Sequence, residues 1–368
     1  MIFGGPSPEH DVSILTGLQA AHALGGSGRP TRAVYWDKVG IFHEVDATLE
    51  PESFTTTQGP PTRSTLRFVA GEGLVAPGKL GRAGRALDVG TVLVCCHGGP
   101  GENGTLQAAL DLAGIAYAGP SAAGAALGMD KLAFGSTAVA AGLRSLPRVV
   151  VADGEPDPTF TGPYIVKPRF GGSSIGIEVV GDWASAVALS RQSVHLRAGA
   201  IAEPWRGAAV DLQISLRSWP RLSLSPVEKP LRQAESKESI LGYRDKYVGG
   251  QGLVSAPREL PAELPDEVRS EIVRAATALA GLTGLRGVAR IDFLWDEPAG
   301  EVFVNEINTI PGSLSKYLWE AATPAVPFGQ LLDDLLAEAT ARPTTHWSAE
   351  GADGSALRSA GTIASKLG

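Results

Sequence analysis

The chain has 368 residues, too many for one ordinary hydrophobic core, so two or three packed units are expected. Hydrophobic residues make up 43% and charged residues 19%, and the formal net charge of −7 excludes a nucleic-acid binder that works through a basic face. A bound polyanion must then be met by a few local cations.

In chain order, Met1 to Phe3 reads as a very short strand, followed by a Gly/Pro turn and a helix from Ser13 to Leu24. Three residues are few for a central strand, so either the fold tolerates a clipped first strand or the start codon lies upstream. Residues 27–90 carry scattered strand signals among Gly, Pro and Thr and are expected to be a decorated or mobile segment. Thr91 to Cys96 is a strand, the loop HGGPGENG follows, and a helix runs from Thr105 to Ala113, an order that indicates an α/β unit. Cys95 and Cys96 are the only cysteines; adjacent and in an apolar run, they suit buried free thiols and a reducing compartment.

Ile115 to Ala118 reads as a short strand and Ala122 to Ala141 as an Ala-rich helical region. RVVVAD, PYIVKPRF and IGIEVV are strands separated by turn residues, with a helix near Trp183 to Ser190. The polar, glycine-rich segment 236–252 reads as a mobile loop, and Asp266 to Leu282 as a strongly periodic helix. The small, polar tail after 341 is expected to be disordered. No basic leader and no apolar run of about 18 residues occur, so the chain reads as cytoplasmic, with no membrane partner.

Two strands, VARIDFLWD (288–296) and EVFVNEIN (301–308), flank the turn Glu297 to Gly300. Pairing symmetric about Ala299 sets Asp292 opposite Glu306 and Arg290 opposite Asn308, and period-2 alternation puts all four on one face. Opposed carboxylates repel unless a cation lies between them, and two carboxylates with an amide oxygen are hard ligands suited to Mg²⁺ shared with phosphate oxygens. A surface hairpin with a chance acidic pair is the plainer alternative, but Ile291 and Phe293 suit a buried strand.

No Walker-type loop is present. In PYIVKPRFGGSSIGIEVV, Lys167 ends one strand, and Gly171, Gly172, Ser173 and Ser174 offer backbone N–H groups and hydroxyls before the next. Strands on both sides rule out the dinucleotide fingerprint, whose glycine loop opens a helix; an ordinary hairpin turn stays open. Taken singly, Lys131 and Lys246 read as solvated charges, Glu9 as a helix-capping acid and His97 as a loop histidine.

Taken together, EHDVS (9–13), HGGPGENGTLQ (97–107), MDK (129–131), IVKPRFGGSSIG (165–176), GYRDKY (242–247), ARIDF (289–293) and NEINTIPG (305–312) resemble the D-alanine–D-alanine ligase family of the ATP-grasp superfamily, in order and suitably spaced. The resemblance implies an α/β, three-domain architecture: an N-terminal parallel α/β domain over 1–120 and two α+β domains, over 121–205 and 206–340, that clamp ATP, with 341–368 as a tail. It implies that Lys131, Lys167, Lys246 and Ser174 contact ATP, with Glu203 near the adenine. Asp292, Glu306 and Asn308 are implied ligands of two Mg²⁺ ions, with Mn²⁺ an alternative. Glu9 is implied to take the first substrate's ammonium with Ser173 and Tyr247 bonded alongside, and His97 to lie near its carboxylate. Arg290 and the N–H of Gly312 are implied to form an oxyanion site.

The implied reaction joins two D-alanines through an acyl phosphate, for peptidoglycan synthesis, in a homodimer whose partners are small amino acids. Two departures stand out. Tyr317, followed by Leu318 at the implied second-substrate site, replaces the family's serine, and Gly207-Ala208-Ala209 lacks its ribose-binding acid, with Asp211 two places later. A related ligase with another second amino or hydroxy acid, and a nucleotide sensor that has lost ligation, are the competing expectations.

Overall fold

The computed structural model describes residues 1–78, 84–231, 257–342, 344 and 348–364. The expected mobile loop 236–252, with Lys246 and Tyr247, lies outside the described residues. The α/β class holds, in three larger sheets, each with its own apolar cluster.

The first sheet runs β1 (Ile2–Gly4), β2 (Ala33–Trp36), β3 (Phe42–Val45), β4 (Thr62–Val69), β5 (Gly73–Ala76) and β6 (Arg85–Ala86). β1 is parallel to β2, whereas every later pair in this sheet is antiparallel. β7 (Thr91–Leu93) is parallel to β8 (Ala116–Ala118), and Cys95 N donates to Ile2 O at 2.9 Å, which docks this pair beside β1. The clipped first strand is therefore central, and helix α1 (His10–Gly26) packs on it so closely that a Cβ at Gly17 would lie 2.4 Å from Phe3 Cγ.

Two expectations change here. Residues 27–90 are not a decoration: their strands extend the sheet, β2 supplying Ala33, Val34 and Trp36 to the core and β3, β4 and β5 supplying Val45, Leu66 and Leu74. The N-terminal unit is accordingly parallel only at its centre and antiparallel along that extension. Helix α2 (Gly99–Glu102) forms within the HGGPGENG loop and α3 (Thr105–Leu112) follows it.

The Ala-rich stretch divides into α4 (Ala122–Met129) and α5 (Lys131–Ala140). The break is Asp130, whose side chain caps α5 by accepting from Leu132 N at 3.1 Å and Ala133 N at 3.2 Å. The second sheet has the order β11 (Glu178–Val180), β10 (Tyr164–Pro168), β12 (Ala200–Pro204), β9 (Val149–Val150), all antiparallel, with α6 (Trp183–Gln192) packed on it.

The third sheet has the order β14 (Ser223–Leu224), β13 (Val210–Arg217), β17 (Val288–Asp296), β18 (Glu301–Asn308). A ribbon of β15 (Lys229–Pro230) and β16 (Arg258–Glu259) lies beside it, Gln213 of β13 pairing with Glu228. Helix α7 (Asp266–Leu282) covers the sheet with a stripe of Val268, Ile272, Ala275, Ala276 and Leu279, spaced for one helical face, and Phe134 and Ala138 of α5 join the same cluster. The chain then returns: α8 (Lys316–Glu320) and α9 (Phe328–Ala341) place Trp319, Leu331, Leu332 and Leu335 in the first cluster, away from the 206–340 unit in which they were expected. Within the tail expected to be disordered, Ser355–Ala360 form a short helix. Among the described residues no helix is long and apolar enough to cross a membrane.

Candidate active site

β17 and β18 set Asp292 opposite Glu306 and Arg290 opposite Asn308. The turn is not symmetric about Ala299, however: Asp296 pairs with Glu301 and Phe293 with Val304, one residue out of the expected register. A bulge between Asp292 and Phe293 absorbs the difference, with Asn305 as the extra residue, and so restores the facing pair. The bulge also aims Asn305, whose Oδ1 accepts from Lys167 Nζ at 3.2 Å and whose carbonyl accepts from Arg148 Nη2.

Each facing carboxylate has its own cation. Arg290 grips Asp292 with two parallel bonds, Nε to Oδ1 at 2.7 Å and Nη2 to Oδ2 at 2.8 Å, and Asn308 Nδ2 adds a third at 3.2 Å. Glu306 Oε2 lies 3.2 Å from Lys131 Nζ, which also donates to the Gly171 carbonyl. Lys131 is held there because it opens α5, whose cap Asp130 takes a two-pronged bond from Arg169 (2.8 and 2.6 Å) and so ties the glycine loop to the helix start. Among the described residues no group of three or more His, Cys, Asp or Glu forms a self-sufficient metal cage.

The glycine loop reaches the N-terminal unit. Ser173 Oγ donates to Glu9 Oε1; Glu9, 8% exposed, precedes α1 at its N-cap position, but its carboxylate makes no capping bond to the helix and turns to the loop instead. Glycines flank that carboxylate closely: a Cβ at Gly98 would lie 2.5 Å from its Oε2, and one at Gly172 2.8 Å. Ser173 and Ser174 both adopt the left-handed region, at φ 53° and 58°, an uncommon conformation that gathers at functional sites.

Between the second and third sheets lies a cleft enclosing about 830 Å³, lined by Lys167, Ser174, Glu203, Trp205, Asp211 and Asp292 among others. At its floor the buried Glu203 accepts from Lys167 Nζ and from Arg148 Nε, both at 2.7 Å. Burial alone would raise the Glu203 carboxyl, but the charges of Lys167 and Arg148 outweigh it and hold its pKa below the usual range.

Loop NTIPG is clamped from two sides. His97 Nδ1 lies 2.7 Å from the Ile310 carbonyl, an acceptor only, so Nδ1 carries the proton and Nε2 accepts from Thr16 Oγ1 at 2.7 Å. Thr16 Oγ1 in turn accepts from Ser313 N at 3.0 Å. Burial, with the Arg290 charge nearby, pushes the His97 pKa down to about 4 against the help of Ile310. Glu102 accepts from Gly98 N at 2.8 Å and Ile310 N at 3.0 Å, and burial with the nearby Glu9 charge pushes its pKa up to about 7. Gly312 is therefore set in a fixed turn, followed by Ser313, Leu314 and Ser315, all left-handed.

Tyr317 is buried, and its hydroxyl donates to Glu228 Oε2 at 2.7 Å while Arg258 lies over its ring at 4.3 Å. Leu318 is fully buried, backbone and side chain alike, and presents no open surface to the cleft. The structure thus gathers Lys131, Lys167, Ser174, Glu203, Asp292, Glu306 and Asn308 around the cleft and hairpin, and Glu9 with Ser173 at the adjoining loop. His97 touches this group through the Ile310 segment, with both ring nitrogens engaged by protein. Sequence reasoning missed Arg148, Glu102, Thr16, Glu228 and Asn305. Of these only Glu102, an acid within a glycine-rich turn, carried a local signal.

Comparison with known proteins finds similar chains along nearly the whole length. Residues 1–120 match the family description "D-ala D-ala ligase N-terminus" and residues 155–337 "D-ala D-ala ligase C-terminus". A D-alanine–D-alanine ligase of Chlorobium limicola is 30% identical over 93% of this chain and 97% of its own. Two solved structures share the fold: the D-alanine–D-alanine ligase of Coxiella burnetii (TM-score 0.72, 21% identity, 93% of each chain) and the VanG D-Ala:D-Ser ligase of Enterococcus faecalis (TM-score 0.70, 24% identity, 92% of this chain and 98% of that one).

Proposed function

The chain belongs to the D-alanine–D-alanine ligase family, with its ATP-grasp fold, and from that premise we propose how its own residues carry the reaction. The family's enzymes are ATP-dependent ligases that join D-alanine to D-alanine for peptidoglycan precursors. One observation carries the reading for this chain: Ser173, bonded to Glu9, adjoins Ser174 at a cleft whose walls hold Lys167 and the Asp292–Glu306 pair, with Lys131 paired to Glu306.

In this reading Glu203 and the cleft around it receive the adenine end of ATP, while Lys131, Lys167 and Ser174 meet the phosphates, with Lys246 joining them. Asp292, Glu306 and Asn308, all oxygen donors on one face, suit one or two Mg²⁺ ions, and Mn²⁺ fits the same donors. Such an ion, when bound, neutralises phosphate charge beside the reacting oxygen. Glu9 takes the first D-alanine's ammonium, Ser173 and Tyr247 orient that carboxylate, and His97 lies towards the substrate's own carboxylate.

The first D-alanine's carboxylate takes the terminal phosphoryl group of ATP, releasing ADP. The second amine attacks the resulting acyl phosphate at its carbonyl carbon, expelling phosphate and losing a proton to leave the amide. The tetrahedral oxyanion forms at Arg290 and the Gly312 N–H, both held in place before substrate arrives, Arg290 by Asp292 and Gly312 by the His97–Thr16 clamp. Tyr317, backed by the buried Leu318, borders the second substrate. The Tyr317–Glu228 bond favours one further reading, in which the second amino or hydroxy acid differs from D-alanine, because this hydroxyl is engaged by protein.

The units 121–205 and 206–340 clamp ATP beside the 1–120 unit, with Lys316–Glu320 and Phe328–Ala341 returning to pack on that first unit. The enzyme works as a cytoplasmic homodimer; light scattering of the purified chain tests the dimer. The decisive assay is phosphate release from ATP and Mg²⁺ with D-alanine against a panel of second substrates. Release with D-alanine as best acceptor is expected; none at millimolar D-alanine sinks the reading.

A further inference from the structure

Glu203 is 1% exposed, yet two cations bond it. One suffices to neutralise a carboxylate, and a buried surplus of positive charge is unfavourable unless something anionic arrives. The two cations are held differently. Arg148 spends its guanidinium on three partners: Nε on Glu203, Nη1 on the Lys131 carbonyl at 2.5 Å, and Nη2 on the Asn305 carbonyl.

The chain is shaped to hold it there. β9 pairs Val150 with Ile201 and Val149 with Ala202, so the next position sets Arg148 opposite Glu203. Gly135 of α5 leaves the space, since a Cβ there would lie 2.4 Å from Arg148 Nη1. The Arg148 side chain is 4% exposed. Lys167 instead lines the cleft on a flexible stem, bonded to two side chains, Glu203 and Asn305.

We propose that Arg148 is a positioning residue for ATP: it stays as the counter-ion of Glu203 when Lys167 turns from that carboxylate to the nucleotide phosphates, and it fixes the Lys131 and Asn305 backbones that frame them. This rests on the reading of Lys167 as a phosphate contact. Without Arg148, Lys167 becomes the sole counter-charge of a buried carboxylate and is retained there, so phosphates lose a ligand. Removing the Glu203 charge as well releases Lys167.

The test compares wild type, Arg148→Met, Arg148→Lys, Glu203→Gln and the Arg148→Met/Glu203→Gln pair by KM for ATP, KM for D-alanine, kcat and thermal melting. Arg148→Met is expected to raise KM for ATP about tenfold or more, the scale of one lost charge-assisted bond, with KM for D-alanine little changed. The paired variant returns KM for ATP to near that of Glu203→Gln alone, and Arg148→Lys falls between wild type and Arg148→Met. An unchanged KM for ATP overturns the proposal, as does a parallel rise in both KM values that Glu203→Gln does not relieve, since that marks a merely structural residue. If Arg148→Met does not fold, Arg148→Lys decides: a rise confined to ATP supports the proposal, and equal rises overturn it. A wild type that releases no phosphate fails the ligase reading itself, whereas an active wild type with an indifferent Arg148→Met fails only this inference.

Discussion

Ser173 donates its hydroxyl to Glu9 across 164 positions of sequence, joining the glycine loop of the second sheet to the first turn of α1. Neither residue's own element supplies the other, so the docking of the units completes the pocket for the first ammonium. Glu9→Gln keeps the shape and removes the charge. A hydrogen bond to an ionised partner contributes about 1.5–3 kcal/mol, so kcat/KM for D-alanine is expected to fall roughly 10- to 100-fold. KM for ATP stays nearly constant; steady-state kinetics with each substrate varied checks the split, and an equal loss on both sides counts against Glu9 as the ammonium ligand.

Asp292 and Glu306 face each other but depend on their surroundings differently. Asp292→Asn removes the charge that Arg290 grips with two parallel bonds, at a pair whose side chains are each only 11% exposed. Stability is expected to drop by about 3 kcal/mol together with activity. Glu306 is 23% exposed and lies 3.2 Å from Lys131, a more solvated pair, so Glu306→Gln loses less than about 1 kcal/mol of stability while the Mg²⁺ concentration for half-maximal rate rises. Urea melts and Mg²⁺ titrations of both variants separate the roles; equal destabilisation would show that the pair is chiefly structural.

The hairpin also shows what the sequence can and cannot disclose. Alternation identified the facing pair because strand period is rigid, yet the turn is one residue off, and only the bulge at Asn305 brings the carboxylates level. A bulge has no spacing signature; it is selected by what its side chain must reach, here Lys167. Residues 27–90 stayed illegible for a similar reason: strands such as β3, β4 and β5, which place only Val45, Leu66 and Leu74 fully within the first cluster, become a sheet only against β1 and β2. The carriers of chemistry sit in motifs, whereas Arg148, Thr16 and Glu102 hold those motifs together from positions the fold alone makes neighbours.

Tyr317 stands where the family's serine is expected, and its hydroxyl is engaged by Glu228, which is 3% exposed. Tyr317→Phe leaves one oxygen of that buried carboxylate short of a donor, although Arg258 Nη1 still lies 3.1 Å from the other. Stability is expected to fall by about 1–3 kcal/mol, with KM for the second D-alanine changed only a few-fold. A rise in that KM well beyond the loss of stability would mean that the hydroxyl contacts substrate directly.

His97 and Glu102 clamp the same Ile310 segment and tilt stability with pH in opposite directions. His97 falls to about 4 in the folded chain from 6.5, so unfolded protein binds the extra proton first, and stability is lost as pH drops from 6.5 towards 4. Glu102 rises to about 7 from 4.5, so folded protein keeps its proton longer, and stability is lost as pH climbs from 4.5 towards 7. Each shift amounts to roughly 3 kcal/mol at full extent, so between pH 4.5 and 6.5 the two largely cancel in the wild type. Each single variant should expose the other slope. Glu102→Gln loses stability relative to wild type as pH falls through this window, because only the histidine term remains, and His97→Gln gains it, because only the acid term remains. Denaturant midpoints at half-unit steps of pH check both signs. Parallel pH profiles for wild type and the two variants would show that neither group carries its shifted proton in the folded clamp.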